Sequence, residues 1–263
     1  MVEIFVASIA LGLVAGLLAG LFGIGGGLII VPVLTMLLST QGVASHHVLL
    51  IAIATSLASI MLTAIASVRA HHRLGRVCWA TVYRLSPMIM LGAGSGSLVA
   101  AQLPTQVLKH ILVIFLLYVA TLMALQVKPQ SNAVTPAKYL DYSVALLIGA
   151  LSAIVGIGGG TLTVPYLVHR QHTMHSAVAI ASACGLPIAI AGTLSYALLA
   201  WHTTDLPAWN VGYVCLPAFV GIGLGSILTA PLGAKLAHYL PAQQLKRYFS
   251  VLLFIMAAKL LWH

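Results

Sequence analysis

The chain has 263 residues, 61% of them hydrophobic and 6% charged, with a mean hydropathy of +1.08. That composition leaves too little polar surface for a water-soluble domain of this length, so the solvent for most of the chain is a lipid bilayer. The formal net charge of +9 does not point to nucleic acid, because the lysines and arginines cluster in loops between apolar runs, where they anchor a membrane protein on its cytoplasmic side.

Apolar runs fall at 4–36, 48–68, 80–100, 107–127, 139–168, 174–200, 209–230 and 245–262. Most reach the roughly 20 residues that a helix needs to cross a hydrocarbon core. The expectation is an all-α polytopic membrane protein with short loops and no room for a soluble domain. The N-terminus carries Glu3 and no Lys or Arg, unlike the positive n-region of a secretory signal, so the first run is expected to be retained. Cys78, Cys184 and Cys215 lie far apart with no CxxC pair, which suggests neither a disulfide framework nor a zinc site, and no cofactor is expected.

Two of these runs are interrupted in the same way. Gly23-Ile24-Gly25-Gly26-Gly27 precedes Pro32, and Gly156-Ile157-Gly158-Gly159-Gly160 precedes Pro165 at the same spacing. Each glycine costs a helix about 1 kcal/mol relative to Ala. Within a bilayer, freed backbone is tolerated only where protein or a water-filled cavity satisfies it. Paired interruptions in corresponding halves are the best sequence pointer to a transporter's binding site.

The repeat extends beyond the glycines. Ala52-Ile53-Ala54-Thr55-Ser56 lines up with Ala179-Ile180-Ala181-Ser182-Ala183, and Gly92–Ser97 with Gly221–Ser226. The chain therefore divides into a first transmembrane repeat (1–127), a polar linker (128–138) and a second repeat (139–263). Arg69, Arg73, Arg76 and Arg84 place the loop after the second segment on the cytoplasmic side, whereas its counterpart near 201–209 has Asp205 and no Lys or Arg. Opposite charge bias in corresponding loops is the signature of inverted repeats. Inversion needs an odd number of crossings per half, which follows if each glycine-broken segment enters and returns, with about three transmembrane helices beside it. Eight simple crossings are the alternative.

Glycine lets the backbone adopt positive φ and approach a ligand closely. Consecutive N–H groups then form an anion-binding nest, and a half-helix starting after the turn adds its positive end. Both turns could so aim donors at one midplane anion; close helix packing through small residues is the other reading.

On these paired motifs, the A-x-x-T-S-like strings and the hydropathy pattern, the chain resembles the TauE/SafE family of sulfite and organosulfur anion exporters. The resemblance covers nearly the whole chain and implies transport of sulfite, thiosulfate, sulfoacetate or another sulfonate across a cell membrane, the bacterial inner membrane being the expected one. The positions it implicates are Gly23, Gly25, Gly26, Gly27, Thr55 and Ser56 in the first half, with Gly156, Gly158, Gly159, Gly160 and Ser182 in the second. Ser182-Ala183 stands where a Thr-Ser pair is expected, so one hydroxyl is lost.

Glu3, Asp141 and Asp205 are the only carboxylates, all near segment ends. A helix N-terminal charge accounts for Glu3 and Asp141, and no acid sits where a proton relay or sodium site would use it. An anion leaving a negative-inside cell gains about 2.3 kcal/mol per charge per 100 mV and needs no such relay. Among the eleven histidines, His47 and His175 occupy matching positions before the second and sixth segments and are candidate gate residues. Arg69 and Arg170 are candidate anion holders at the cytoplasmic mouth. A His-dependent divalent metal transporter is the rival reading, short of acids and clustered cysteines. An intramembrane enzyme is the other; GAGSGS at 92–97 does not fit the G-x-S-x-G nucleophile setting and no HExxH occurs. The apolar surface would permit a homodimer.

Overall fold

A computed structural model describes residues 2–22, 25–40, 45–73, 75–125, 138–201, 206–207, 209–236 and 242–262. Gly23, Asp205 and linker positions 128–137 lie outside the described residues; Lys138 already opens a helix. The first half contributes α1 (Val2–Phe22), α2 (Gly27–Ser39), α3 (Ser45–Arg73), α4 (Trp79–Gln102) and α5 (Thr105–Ala124). The second contributes α6 (Lys138–Val155), α7 (Gly160–His169), α8 (Met174–Leu199), a short hairpin of β1 (Asn210–Val211) and β2 (Val214–Cys215), α9 (Leu216–Leu236) and α10 (Ala242–Trp262).

The eight apolar runs therefore become ten helices among the described residues, because each glycine motif splits its run into a long helix and a half-helix. At about 1.5 Å per residue, α2 and α7 measure roughly 20 and 15 Å, too short to cross a bilayer core. Pro32 and Pro165 occupy the sixth position of α2 and α7 respectively. Among the described residues, five helices are long and apolar enough to cross a membrane: those at Glu3–Leu21, His47–Arg73, Thr105–Ala124, Met174–Leu199 and Leu216–Gly233.

The run expected at 209–230 is not helical throughout. Residues 210–215 form the β-hairpin, turning at Gly212 with φ +57°. Gly212 also packs where a Cβ would stand 2.3 Å from the Ala197 carbonyl oxygen, so the turn is pressed onto the end of α8.

The two halves interlock. α1 of the first half packs most extensively on α9 of the second, and α6, the repeat counterpart of α1, packs on α4, the counterpart of α9. Glycines make both contacts possible by letting backbones meet. A Cβ on Gly12 would lie 2.5 Å from the Ile222 oxygen, and one on Gly233 would lie 2.1 Å from the Leu17 oxygen. In the equivalent pair, Gly92 meets Leu146 and Gly96 meets Ala150. Residue numbers rise together in both pairs, so α1 runs parallel to α9 and α4 runs parallel to α6. Ser226 Oγ donating to the Gly12 carbonyl at 3.1 Å and Thr229 Oγ1 to that of Leu13 at 2.8 Å tie the first pair further. α3 and α8 cross at the centre, and α3 is buried along most of its length.

Candidate functional site

The glycine turns meet at mid-height. Gly27 abuts Ile60, near the middle of α3, and Gly159 abuts Ala181 and Gly185, near the middle of α8. The turns also touch each other. A Cβ on Gly25 would stand 3.6 Å from the Gly158 Cα, and one on Gly27 would stand only 2.6 Å from the Gly156 oxygen. Gly25, Gly26 and Gly156 have φ of +81°, +75° and +75°, the left-handed region that favours glycine. Gly156, Gly158, Gly159 and Gly160 are buried.

Both half-helices begin inside this contact. The amides of Ile29 and Ile30 bond to the Gly26 carbonyl at 3.1 and 3.2 Å, and that of Thr163 to the Gly159 carbonyl at 2.9 Å. The amides ahead of them have no acceptor within the helix. Neither Gly26 nor Gly159 supplies a side-chain cap. The positive ends of two half-helices thus converge where backbone meets backbone, and helix dipoles of that sense favour negative charge.

The hydroxyls expected here brace the turns. Ser56 Oγ donates to the Gly156 carbonyl at 2.7 Å, and Thr55 Oγ1 accepts from the Cys215 amide at 3.0 Å; both side chains are fully buried. One dipeptide of α3 therefore holds the second glycine turn and the β-hairpin together. Ser182 lies in α8, half-buried, next to the Ala181 carbonyl that Gly159 packs against.

His47 and His175 are not brought together. His47 stacks on Tyr213 of the β-hairpin with ring centroids 5.6 Å apart, and Tyr213 meets the buried Tyr196. His175 is exposed and lies within electrostatic reach of His71, at the other end of α3. Along a helix the separation of His47 from His71 is about 36 Å. The two matching positions therefore lie toward opposite ends of α3. Arg69 is exposed.

Arg170 has a committed partner. Its guanidinium lies 2.5 Å from Asp141 Oδ1, while Arg84 lies 3.0 Å from Asp141 Oδ2. The Tyr166 hydroxyl donates to the same carboxylate. Asp141 is 1% exposed, so it is a buried ion-pair centre and not simply a helix N-terminal charge. Because Asp141 stands in the first turn of α6 and Arg170 just after α7, this ion pair ties the start of the second broken segment to its end. Nearby, between α7 and α8, burial and then the fields of Arg84 and Arg170 hold the His172 imidazole below its usual range.

The family follows from comparison with known proteins, in which the model of the family described as sulfite exporter TauE/SafE matches residues 8–260. The chain belongs to the sulfite exporter TauE/SafE family. It is similar to a "Probable membrane transporter protein" of Haemophilus influenzae, 36% identical over 249 residues, covering 94% of each chain. Relatives described in the same words occur in Methanocaldococcus jannaschii (27% identical, 94% of this chain and 92% of that one) and Xylella fastidiosa (28%, 99% and 96%). No solved structure matches. This TauE/SafE member is thus a multi-pass membrane transporter and not an enzyme.

Sequence reasoning missed the roles of Asp141, Arg84 and Tyr166. Arg84 read as a loop charge and Arg170 as an anion holder, because nothing local says that they share one acid, 57 residues from the first and 29 from the second. The available signal was the rarity of carboxylates, together with the four-residue spacing of Tyr166 and Arg170. Among the described residues no three of His, Cys, Asp and Glu come together as a metal ion would need.

Proposed function

We propose that the protein exports a small sulfur-containing anion, such as sulfite, thiosulfate or a sulfonate like sulfoacetate, bound between the two glycine turns. The carrying observation is the contact of Gly25 with Gly158, which sets the uncapped starts of α2 and α7 against each other at mid-height. In this reading the backbone N–H groups of Gly25, Gly26, Gly27, Gly158, Gly159 and Gly160 hold the anion, joined in the first turn by Gly23. Thr55, Ser56 and Ser182 line and brace the site.

We read the halves, 1–127 and 139–263, as inverted repeats. The Asp141–Arg170 pair supports a re-entrant α6–α7, which leaves α8, α9 and α10 as the crossings of that half. Helix α8 then runs with α6, and α9 against it. Since α1 is parallel to α9 and α4 to α6, α1 opposes α6, as inversion requires. The arginines gathered near Asp141 mark the cytoplasmic end of this arrangement.

Flux of radiolabelled sulfite and sulfonates into proteoliposomes, with an imposed potential and no pH gradient, tests the function. Saturable flux that tracks the potential is expected. Absence of flux for every sulfur oxyanion, with or without a pH gradient, would overturn the substrate assignment.

A further inference from the structure

Helix α7 carries a polar stripe that its repeat counterpart lacks. Arg170, Tyr166, Thr163 and Gly159 follow one another at helical spacings of three and four residues, which puts them on one face of α7. The stripe runs from the Asp141 ion pairs to the glycine turn. Thr163 is fully buried and its Oγ1 has no hydrogen-bond partner, a penalty that an apolar residue of the same shape would avoid.

The duplication supplies an internal comparison. The shift of 133 residues that superposes Gly23 on Gly156 and Pro32 on Pro165 sets Ile30, Val33 and Leu37 against Thr163, Tyr166 and Arg170. It also sets Ser8 against Asp141. The counterpart positions in the first half are therefore uncharged, and the three on its half-helix are apolar. The architecture does not require the charges and the stripe, and their presence on one half calls for a functional reason.

Charge and exposure indicate what that reason is. Two arginines share one carboxylate, so the cluster keeps one positive charge in excess. The Arg84 side chain is 39% exposed, the Arg170 side chain 14% and the Asp141 side chain 1%, so the arginines are graded from solvent inwards around a buried acid. A guanidinium recognises a sulfur oxyanion by the same donor geometry that it offers a carboxylate.

We propose that Arg84 and Arg170 form a second anion site at this end of the bundle, occupied by the Asp141 carboxylate until a transported oxyanion displaces it, with Tyr166 and Thr163 leading from it to the glycine turns. Displacement also releases the tie between the start of α6 and the end of α7, freeing the re-entrant segment to move. The counterpart positions of the first half carry no charge, so anions are collected at this end. This inference rests on the proposed anion function.

The test is equilibrium binding of radiolabelled sulfite and of sulfate to the purified full-length protein in detergent, alongside sulfite flux in proteoliposomes. Asp141→Asn removes the competing carboxylate and is expected to tighten binding about tenfold while slowing flux. Arg84→Gln, at a half-exposed position and with Arg170 left to pair with Asp141, is expected to raise the KM for flux about tenfold. Thr163→Val, nearly isosteric, is expected to lower flux while the melting temperature stays at or above that of wild type, since the unpartnered hydroxyl is removed. The proposal is overturned if wild type carries sulfite while the folded Asp141→Asn protein binds no tighter, or while Arg84→Gln keeps the wild-type KM. If wild type carries no sulfur oxyanion yet Asp141→Asn binds sulfate more tightly than wild type, the site stands and the export reading falls.

Discussion

Ser56 Oγ in the middle of α3 donates to the carbonyl of Gly156, 2.7 Å away and one hundred residues later in the chain. This bond joins the long helix of one half to the glycine turn of the other. Ser56→Ala leaves a buried carbonyl without that donor, a loss of about 1–3 kcal/mol. A lower melting temperature in detergent and reduced flux are expected together. If both stay at wild-type values, the hydroxyl does not hold the turn.

Gly27→Ala places a Cβ 2.6 Å from the Gly156 oxygen and 3.0 Å from the Ile157 Cα, so the turns must move apart. Since the outer helices do not depend on that contact, flux should be lost while membrane insertion persists. Gly94→Ala is the control: its Cβ meets only Ser195 Oγ, at an ordinary 3.7 Å. Equal flux for the two variants would show that close approach of the turns is dispensable.

Inversion of the halves predicts opposite accessibility for corresponding loops. With Cys78, Cys184 and Cys215 replaced, Arg69→Cys should react with a membrane-impermeant maleimide only after permeabilisation, and Trp201→Cys should react on intact cells. Both positions are exposed. Labelling of both from the same side would favour halves that point the same way.

His172 supplies a pH signature. Burial and the neighbouring arginines make the folded imidazole harder to protonate, so the unfolded chain takes up the proton first as pH falls. Its stabilising contribution is therefore complete above the usual value of 6.5 and is lost as pH drops from there towards the folded value. Melting temperature should fall between pH 7 and about 5.5 more steeply for wild type than for His172→Gln. Parallel curves would show that neither burial nor the Arg84 and Arg170 fields depress the ring in the folded protein.

The glycine motifs were legible because their cost in a helix is local: four glycines in five positions end an apolar helix wherever they occur. The β-hairpin at 210–215 was hidden, since Val211, Tyr213, Val214 and Cys215 continue an apolar run and only Gly212 marks the turn. His47 and His175 match in the repeat but lie near opposite ends of α3, a placement that depends on the packing of the halves and that no local pattern reveals.

By itself the sequence determined the solvent, the duplication and the two helix breaks, because hydropathy, periodicity and glycine's conformational cost are properties of neighbouring residues. Only the tertiary structure decided which groups meet. It set Gly25 against Gly158, gave Ser56 to Gly156, and closed Arg84, Tyr166 and Arg170 around Asp141. Those contacts depend on helix registers fixed by backbone approach at Gly12, Gly92 and Gly233, where a single Cβ would collide with the neighbouring helix. Such registers are sums of many small packing choices along whole helices, and no short stretch of sequence encodes them.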